Sequence, residues 1–150
     1  MNLMGAISGR MGRHDLAAEW MSKAVALRPS DATFSKNYAT ALLELDRLDD
    51  AAKVVDDSIP IVSDDSQLLV LRGLILGRQG DLDGAASILT KAVEQDPKSS
   101  NAHFNLSVIF RRKADKEQTL KHLKKAVELN PENAEATNDL AGVLLSLIHI

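Results

Sequence analysis

The stretch KAVELNPENAEA, residues 125–136, is nearly repeated at two other places in the chain. KAVALRPSDAT begins at Lys23, and KAVEQDPKSSNA begins at Lys91. A phrase that occurs three times within 150 residues points to the stacking of similar units rather than to a site of chemistry. The spacing of these phrases therefore decides how the rest of the chain is interpreted.

Prolines and small residues keep one common period of about 34 residues, a spacing typical of repeat proteins. Pro97 and Pro131 lie one period apart, and Pro29 lies two periods before Pro97, with Ser63 at the position between them. Three series of small or hydroxyl side chains keep the same spacing: Ala17, Ala51, Ala85 and Thr119; Ala24, Ser58, Ala92 and Ala126; and Gly5, Ala39, Gly73, Ser107 and Ala141. The repeat therefore runs through the chain without an insertion.

Each unit contains two stretches in which apolar residues recur at helical spacing, separated by a short polar turn. In the third unit the turn is GRQGD, and the second stretch ends at Asp96, because a residue before proline is pushed out of the helical region. The pattern predicts an all-α fold with helices near 2–11, 15–27, 32–45, 49–59, 66–78, 83–95, 100–113, 117–129 and 134–147.

The repeat resembles the tetratricopeptide repeat, whose units of about 34 residues follow the pattern W-x2-L-G-x2-Y, A-x3-F and a later proline. The third unit carries the corresponding residues Leu69, Arg72, Gly73, Leu76, Ala85, Leu89, Ala92 and Pro97. The resemblance implies a tetratricopeptide α-solenoid, a right-handed superhelix of about four helix pairs plus one extra helix. We expect one domain, 1–150, divided into units 1–31, 32–65, 66–99, 100–133 and a partial unit 134–150.

Small residues in the two helices of a unit are expected to face each other where the helix axes come closest. The expected pairs are Gly5 with Ala17, Ala39 with Ala51, and Gly73 with Ala85.

Two features depart from this pattern. Ser107 is expected to face Thr119, and both hydroxyls are expected to bond to carbonyls of their own helices. Pro60 falls inside the expected span of a helix, so that helix should end early or kink near Ser58.

Composition excludes several kinds of chemistry. The chain has no cysteine, which removes disulfides, thiolate metal sites and thiol nucleophiles. None of its four histidines has a second histidine or a paired carboxylate at the spacing of a metal-binding helix. We predict no catalytic site, no metal and no cofactor, and we expect the fragment not to be an enzyme.

Charge and hydropathy bear on the class of partner. The net charge is −3, and the basic stretch FRRKADKEQTLKHLKK lacks the interleaved aromatic residues that single-stranded nucleic acid requires. The longest uncharged apolar run, LAGVLLSLIHI from Leu140, has about half of the ~20 residues that span a bilayer. We therefore predict no nucleic-acid or membrane partner and, since the chain lacks cysteine, a cytoplasmic location.

In the family that the chain resembles, the first helices of successive units line a concave face that binds extended peptides. Matching by register predicts a peptide-binding site formed by Lys36, Asn37, Thr40, Val70, Leu71, Leu74, Asn101, Phe104, Asn105, Val108, Arg111, Arg112 and Asn138. Five of these form a predicted apolar patch: Val70, Leu71, Leu74, Phe104 and Val108. The alternative is that they are core residues of neighbouring helices.

Polar residues of this predicted site suggest how a ligand is held. Asn37 and Asn105 take the place of asparagines that grip the peptide backbone in O-linked N-acetylglucosamine transferases, and Leu71 interrupts the row. Arg111 and Arg112 favour an acidic ligand.

The carboxylate clamp of chaperone-binding relatives is disfavoured. Lys36 fits it, but other residue types stand at the remaining clamp positions: Thr40, Leu71, Asn101 and Asn105.

Two functions remain open. The first is a scaffold that binds a protein or peptide, and the second is the amino-terminal array of a bacterial glycosyltransferase or sulfotransferase. The coding sequence downstream of Leu144 would discriminate between them. Leu145–Ile150 resembles a translated sequencing adapter, so we expect the chain to be a fragment of a longer protein. Uncovered leucines in the last helix predict self-association through it.

Overall fold

The computed structural model describes residues 14–148, so the predicted helix at 2–11 lies outside the described residues. Within that range the chain forms helices only, and each end lies within one residue of its predicted position. The helices are α1 (His14–Leu27), α2 (Ala32–Glu44), α3 (Leu48–Ser58), α4 (Ser66–Gln79), α5 (Leu82–Gln95), α6 (Ser100–Arg112), α7 (Lys116–Leu129) and α8 (Ala134–Ile148). This confirms the predicted all-α class.

Polar caps at a constant spacing start the first helices α2, α4, α6 and α8. The cap residues lie one period apart, and each side-chain oxygen accepts a backbone N–H of the first turn. They are Asp31, Asp65, Ser99 and Asn133. The 34-residue period therefore determines where these helices begin as well as which of their residues pack.

The turn inside the second, third and fourth units uses one left-handed residue at a fixed register. Asp46 has φ of 57°, Gly80 has φ of 91° and Ala114 has φ of 60°. Only glycine adopts this region without a steric cost, because it has no Cβ. The fourth unit therefore carries backbone strain at Ala114 that the third unit avoids.

Pro60 shortens the second helix of its unit, as the sequence predicts. The helix α3 ends at Ser58, whereas α5 and α7 continue further in register, to Gln95 and Leu129. The Ser58 hydroxyl donates to the carbonyl oxygen of Val54, one turn earlier in the same helix, at 2.7 Å.

The small-residue series lie in the core wherever a second helix covers them. Ala17, Ala51, Ala85 and Thr119 are buried, whereas Ala141 of α8 is exposed. The hydroxyls behave as predicted, since Ser107 donates to the Phe104 carbonyl and Thr119 donates to the Asp115 carbonyl, each at 2.6 Å.

The predicted partner of Gly73 needs a correction. The three atoms closest to a Cβ placed on Gly73 all belong to Leu89 rather than to Ala85. Leu89 lies one turn further along α5 and is fully buried, so the missing side chain of Gly73 leaves room for the body of a leucine. The closest contact of Gly73 is therefore with a large side chain rather than with the small Ala85.

The core is a row of three clusters that follow the chain. The first joins α1 to α4, the second joins α4 to α6, and the third joins α6 to α8. First helices also contact one another directly, α2 against α4 and α4 against α6. Each unit thus depends on its neighbours for burial, as in other stacked repeats. None of the helices within residues 14–148 combines the length and apolar character required to cross a bilayer.

Replacing Gly73 by alanine tests the close contact. We expect Gly73→Ala to lower the free energy of unfolding by about 1–2 kcal/mol, because overpacking against the buried Leu89 outweighs the better helix propensity of alanine. Gly142→Ala is the matched control, since a Cβ there meets no atom within 4 Å. The control should be neutral or stabilising by up to about 1 kcal/mol in urea denaturation. Equal effects of the two changes would contradict the contact.

Replacing Ala114 by glycine tests the strain in the fourth unit. We expect Ala114→Gly to raise the free energy of unfolding by about 0.5–1 kcal/mol, because relief of the left-handed strain exceeds the entropy that glycine adds to the unfolded chain. Urea denaturation measures the change. A loss of stability would show that this residue does not hold the left-handed conformation.

Candidate functional site

A cavity of about 500 Å³ lies along the first helices of three units and reaches the start of α8. We call it the first-helix cavity, and it is lined by Lys36, Thr40, Gln67, Val70, Leu71, Leu74, Asn101, Phe104, Asn105, Asn133 and Glu135. Helices α2, α4 and α6 each present one side to it because they repeat at the same register and contact their neighbours directly.

The structure brings together eight of the thirteen residues predicted from the sequence: Lys36, Thr40, Val70, Leu71, Leu74, Asn101, Phe104 and Asn105. The other five, Asn37, Val108, Arg111, Arg112 and Asn138, do not line the cavity. Three lining residues lie outside the predicted set: Gln67 of α4, and Asn133 and Glu135, which sit at and just after the cap of α8. The spacing of the caps was the signal that could have found Asn133, since it follows Ser99 by one period.

The floor of the cavity is apolar and continuous with the core. Val70 and Phe104 are 5% and 9% exposed, while Leu71 and Leu74 are half-buried. Val70 belongs to the second core cluster and Phe104 to the third. The core interpretation thus holds for Val70 and Phe104, yet both also face the cavity, so packing and ligand contact are compatible roles.

Lys36 is the cation of the cavity, and its charge is already compensated. Its Nζ lies 2.9 Å from Asp65 Oδ2 and 2.8 Å from Gln67 Oε1, which are the cap residue and a first-turn residue of α4. The lysine is 23% exposed and the aspartate 17%, so the pair is partly shielded from solvent. Glu135 adds a negative charge at the other end of the cavity.

The amides at the α6 wall bond to each other. Asn105 Nδ2 donates to the backbone oxygen and to Oδ1 of Asn101, both at 2.8 Å, one turn earlier in the same helix. A peptide backbone that pairs with Asn105 has to exchange one of these internal bonds. Such an exchange is near neutral in energy, because one amide bond replaces another of the same kind.

Arg112 lies outside the cavity because it joins two units. Its Nη1 donates to the backbone oxygen of Gly77, and Arg78 Nη1 donates to that of Leu43 at 3.0 Å. Both arginines and both carbonyls are separated by one period, so the contact is repeated. The arginine of one first helix thereby satisfies a carbonyl near the end of the preceding first helix.

Two further polar contacts also hold neighbouring units in register. Gln79 Nε2 donates to Asp49 Oδ1 at 2.8 Å, and one period later Lys113 pairs with Asp83. This pairing lowers the pKa of Asp83.

Arg111 forms an ion pair with Asp139 of α8 at 2.6 Å. The residues that the sequence assigned to an acidic ligand therefore make contacts within the chain.

The described residues contain no group of three or more His, Asp or Glu side chains placed to hold a metal ion. The chemistry that the first-helix cavity offers consists of apolar burial and amide hydrogen bonds.

Comparison with known sequences places the repeats in a family. Two sequence-family profiles, both described as tetratricopeptide repeat, match residues 10–75 and residues 70–118. Together they cover residues 10–118, more than two thirds of the chain. No curated protein sequence matches it.

Solved structures with the same fold are similar at low identity. MamA from residue 41 to its end, from Desulfovibrio magneticus RS-1, is 24% identical with a TM-score of 0.75, over 89% of this chain and 75% of that one. YrrB, described as a TPR protein with an unusual peptide-binding site, is 23% identical with a TM-score of 0.74, over 90% and 70%. The first TPR of Spaghetti (RPAP3), bound to the HSP90 peptide SRMEEVD, is 22% identical with a TM-score of 0.69, over 78% and 93%. These likenesses establish the fold.

Neutralising the two arginines separately tests their structural roles. We expect Arg112→Gln to lower the free energy of unfolding by about 1–2 kcal/mol, because a charged hydrogen bond to a carbonyl between units is lost. Arg111→Gln is the control and should cost less than about 1 kcal/mol, since the Arg111 side chain is 49% exposed and surface pairs contribute little. Urea denaturation of both variants measures the two losses in the free energy of unfolding. A larger loss for Arg111→Gln would contradict the assignment.

Proposed function

We propose that this chain, which belongs to the tetratricopeptide repeat family, binds an extended segment of a partner protein in the first-helix cavity, on the concave face of the stack. The observation that carries the proposal is the composition of that cavity. An apolar floor is bordered by amide side chains, and the three helices that form it come from three successive units. An extended segment fits a site that runs along the three neighbouring helices α2, α4 and α6.

The floor favours an apolar side chain as the anchor of the ligand. Leu71, Leu74 and Phe104 all line the cavity, so a ligand side chain placed against them is desolvated. Aromatic residues in such positions are enriched among those that dominate binding energy. Asn101 and Asn105 at the side offer donors and acceptors to the ligand backbone, which orient it without selecting its sequence.

The charges of the cavity disfavour binding of an acidic peptide. Lys36 is paired with Asp65, and Glu135 repels a carboxylate at the other end. The peptide named for the RPAP3 structure, SRMEEVD, is acidic toward its end, and this cavity has no unpaired lysine or arginine to receive such a group within the described residues. We therefore propose a ligand of low net charge, and the acidic ligand predicted from Arg111 and Arg112 becomes the alternative that the salt dependence tests.

Similar proteins support the class of ligand. The YrrB description names a peptide-binding site, and the RPAP3 structure contains a bound peptide. Protein binding by a stacked repeat requires no catalytic group, which agrees with an interaction module rather than an enzyme.

Peptides selected from a random library against the chain provide the test. Phe104→Ala should weaken their binding by about tenfold to a hundredfold, because a buried aromatic anchor contributes about 1–3 kcal/mol. Leu71→Ser serves as a second variant because Leu71 is half-buried and less important to the core. Ile61→Ser is the matched control, since Ile61 is 51% exposed and lies outside the cavity.

Circular dichroism of each variant establishes that the helices remain folded. Binding that is indifferent to Phe104→Ala and to Leu71→Ser would overturn the site. A ligand of low net charge predicts that raising the salt concentration changes affinity by less than about twofold, because salt screens only charged contacts. A steep loss of affinity with salt would favour the acidic ligand instead.

A further inference from the structure

Two histidines meet between the helices of the fourth unit. His103 of α6 and His122 of α7 have ring centroids 5.2 Å apart and Nδ1 atoms 3.0 Å apart. His122 also stacks on Phe110, with ring centroids 5.6 Å apart. His103 is 7% exposed, so the contact lies within the packed interface of the two helices.

The hydrogen-bond partners determine where the protons lie. His103 Nε2 is 3.3 Å from the Pro97 carbonyl oxygen, which only accepts hydrogen bonds. Nε2 therefore carries the proton of a neutral His103, and its Nδ1 is an acceptor. His122 must donate from its own Nδ1, so one proton lies between two neutral rings. A proton added at His103 Nδ1 removes that acceptor and breaks the bond.

The surroundings oppose a positive charge on either ring. Lys121, Lys124 and Lys125 of α7 line the adjoining cavity of about 400 Å³, and Glu128 is the one carboxylate that lines it. The α5 side contributes the uncharged Val93, and the connecting loop contributes Pro97.

Burial and these charges lower both pKa values. Burial lowers the pKa of His103, the Pro97 carbonyl opposes the shift, and Lys125 and Lys121 add to it, while Glu128 opposes it. Burial, the neighbouring His103 and Lys121 lower the pKa of His122 to about 4. Because the unfolded chain binds these protons near the ordinary value of 6.5, the stabilisation is complete above that pH. It is lost as the pH falls from about 6.5 toward about 4.

The second and third units lack this pair of titratable side chains. Residues at the register of His103 are Ser35 and Leu69, and those at the register of His122 are Val54 and Ile88. None of these four side chains titrates. The third unit thus shows an apolar pair, Leu69 and Ile88, that packs the same interface without a protonation site.

We propose that the His103–His122 pair is a proton-sensitive contact that holds α6 against α7 at neutral pH, releases it as the pH falls, and thereby weakens binding in the first-helix cavity. The coupling arises because α6 carries Asn101, Phe104 and Asn105, which line the cavity. Only this second half of the inference rests on the proposed function. The loosening of the helix pair can be measured without a ligand.

The chain has no cysteine, so one introduced thiol reports local opening. Ser107→Cys places a thiol in α6, where the native residue is 1% exposed and lies one period after Gly73, which contacts the second helix of its unit. Ser35→Cys places a control thiol in the second unit, where the native residue is 0% exposed. Labelling by a disulfide reagent that reacts in acid is normalised to the unfolded protein at each pH. Between pH 7.5 and pH 5, protection at position 107 should fall by about tenfold, and protection at position 35 by less than about twofold.

A double substitution gives the fourth unit the apolar pair that the third unit has at the same positions. In His103→Leu with His122→Ile, the difference between positions 107 and 35 should disappear. Imidazole nitrogen chemical shifts of the unsubstituted chain give an independent measure, because they identify the tautomer and the pKa of each ring. An ordinary pKa near 6.5 for both histidines, equal loss of protection at the two positions, or persistence of the effect in the double variant would each overturn the proposal.

Peptide affinity completes the test, with the library peptides as probe. The unsubstituted chain should bind them about tenfold more weakly at pH 5 than at pH 7.5, and the double variant should show less than about twofold change. If protection at position 107 falls while affinity stays constant, the coupling to the cavity is wrong. If no peptide depends on the cavity at any pH, the proposed function fails, and thiol labelling still decides whether the histidine pair opens.

Discussion

The close approach of the two helices in each unit is the contact on which the rest of the structure depends. It requires a residue without a side chain, or with a small one, at the crossing, and Gly73 against Leu89 shows how little space remains. A helix pair packed this closely still leaves apolar residues uncovered on the sides that face the next pair. Neighbouring units must therefore stack, and stacking lines up the first helices that form the cavity.

Hydrophobic packing alone does not set the register between units, since apolar surfaces tolerate sliding. Repeated polar contacts supply that information. An arginine at the end of one first helix bonds to a carbonyl of the preceding first helix, and a neighbouring residue bonds to an acidic side chain of the preceding second helix. Each bond contributes modestly, but all are satisfied in only one register. The next first helix in the stack, α8, carries Ser146 and Leu147 one period after Arg112 and Lys113. Its ion pair with α6 is instead the one between Asp139 and Arg111.

The sequence predicts the helices well because the period fixes caps, turns and core positions at once. It predicts most of the cavity lining for the same reason, since Lys36, Leu71 and Phe104 follow from register alone. It could not predict that Arg112 bonds to Gly77, because any residue has a backbone carbonyl and no residue type identifies which one accepts the bond. The pairing of His103 with His122 was missed likewise, since only the packing of α6 on α7 brings together two residues 19 positions apart.

In a periodic protein the positions that keep the period specify the fold, and those that depart from it are free to differ in chemistry. Leu71 interrupts a row whose neighbours in register are Asn37, Asn105 and Asp139, and this exchange adds an apolar side chain to the floor of the cavity. The histidine pair of the fourth unit stands where the third unit has the apolar pair Leu69 and Ile88. Both departures lie on helices that line the cavity or pack directly behind it, so ligand preference and proton sensitivity can change without altering the stack that positions them.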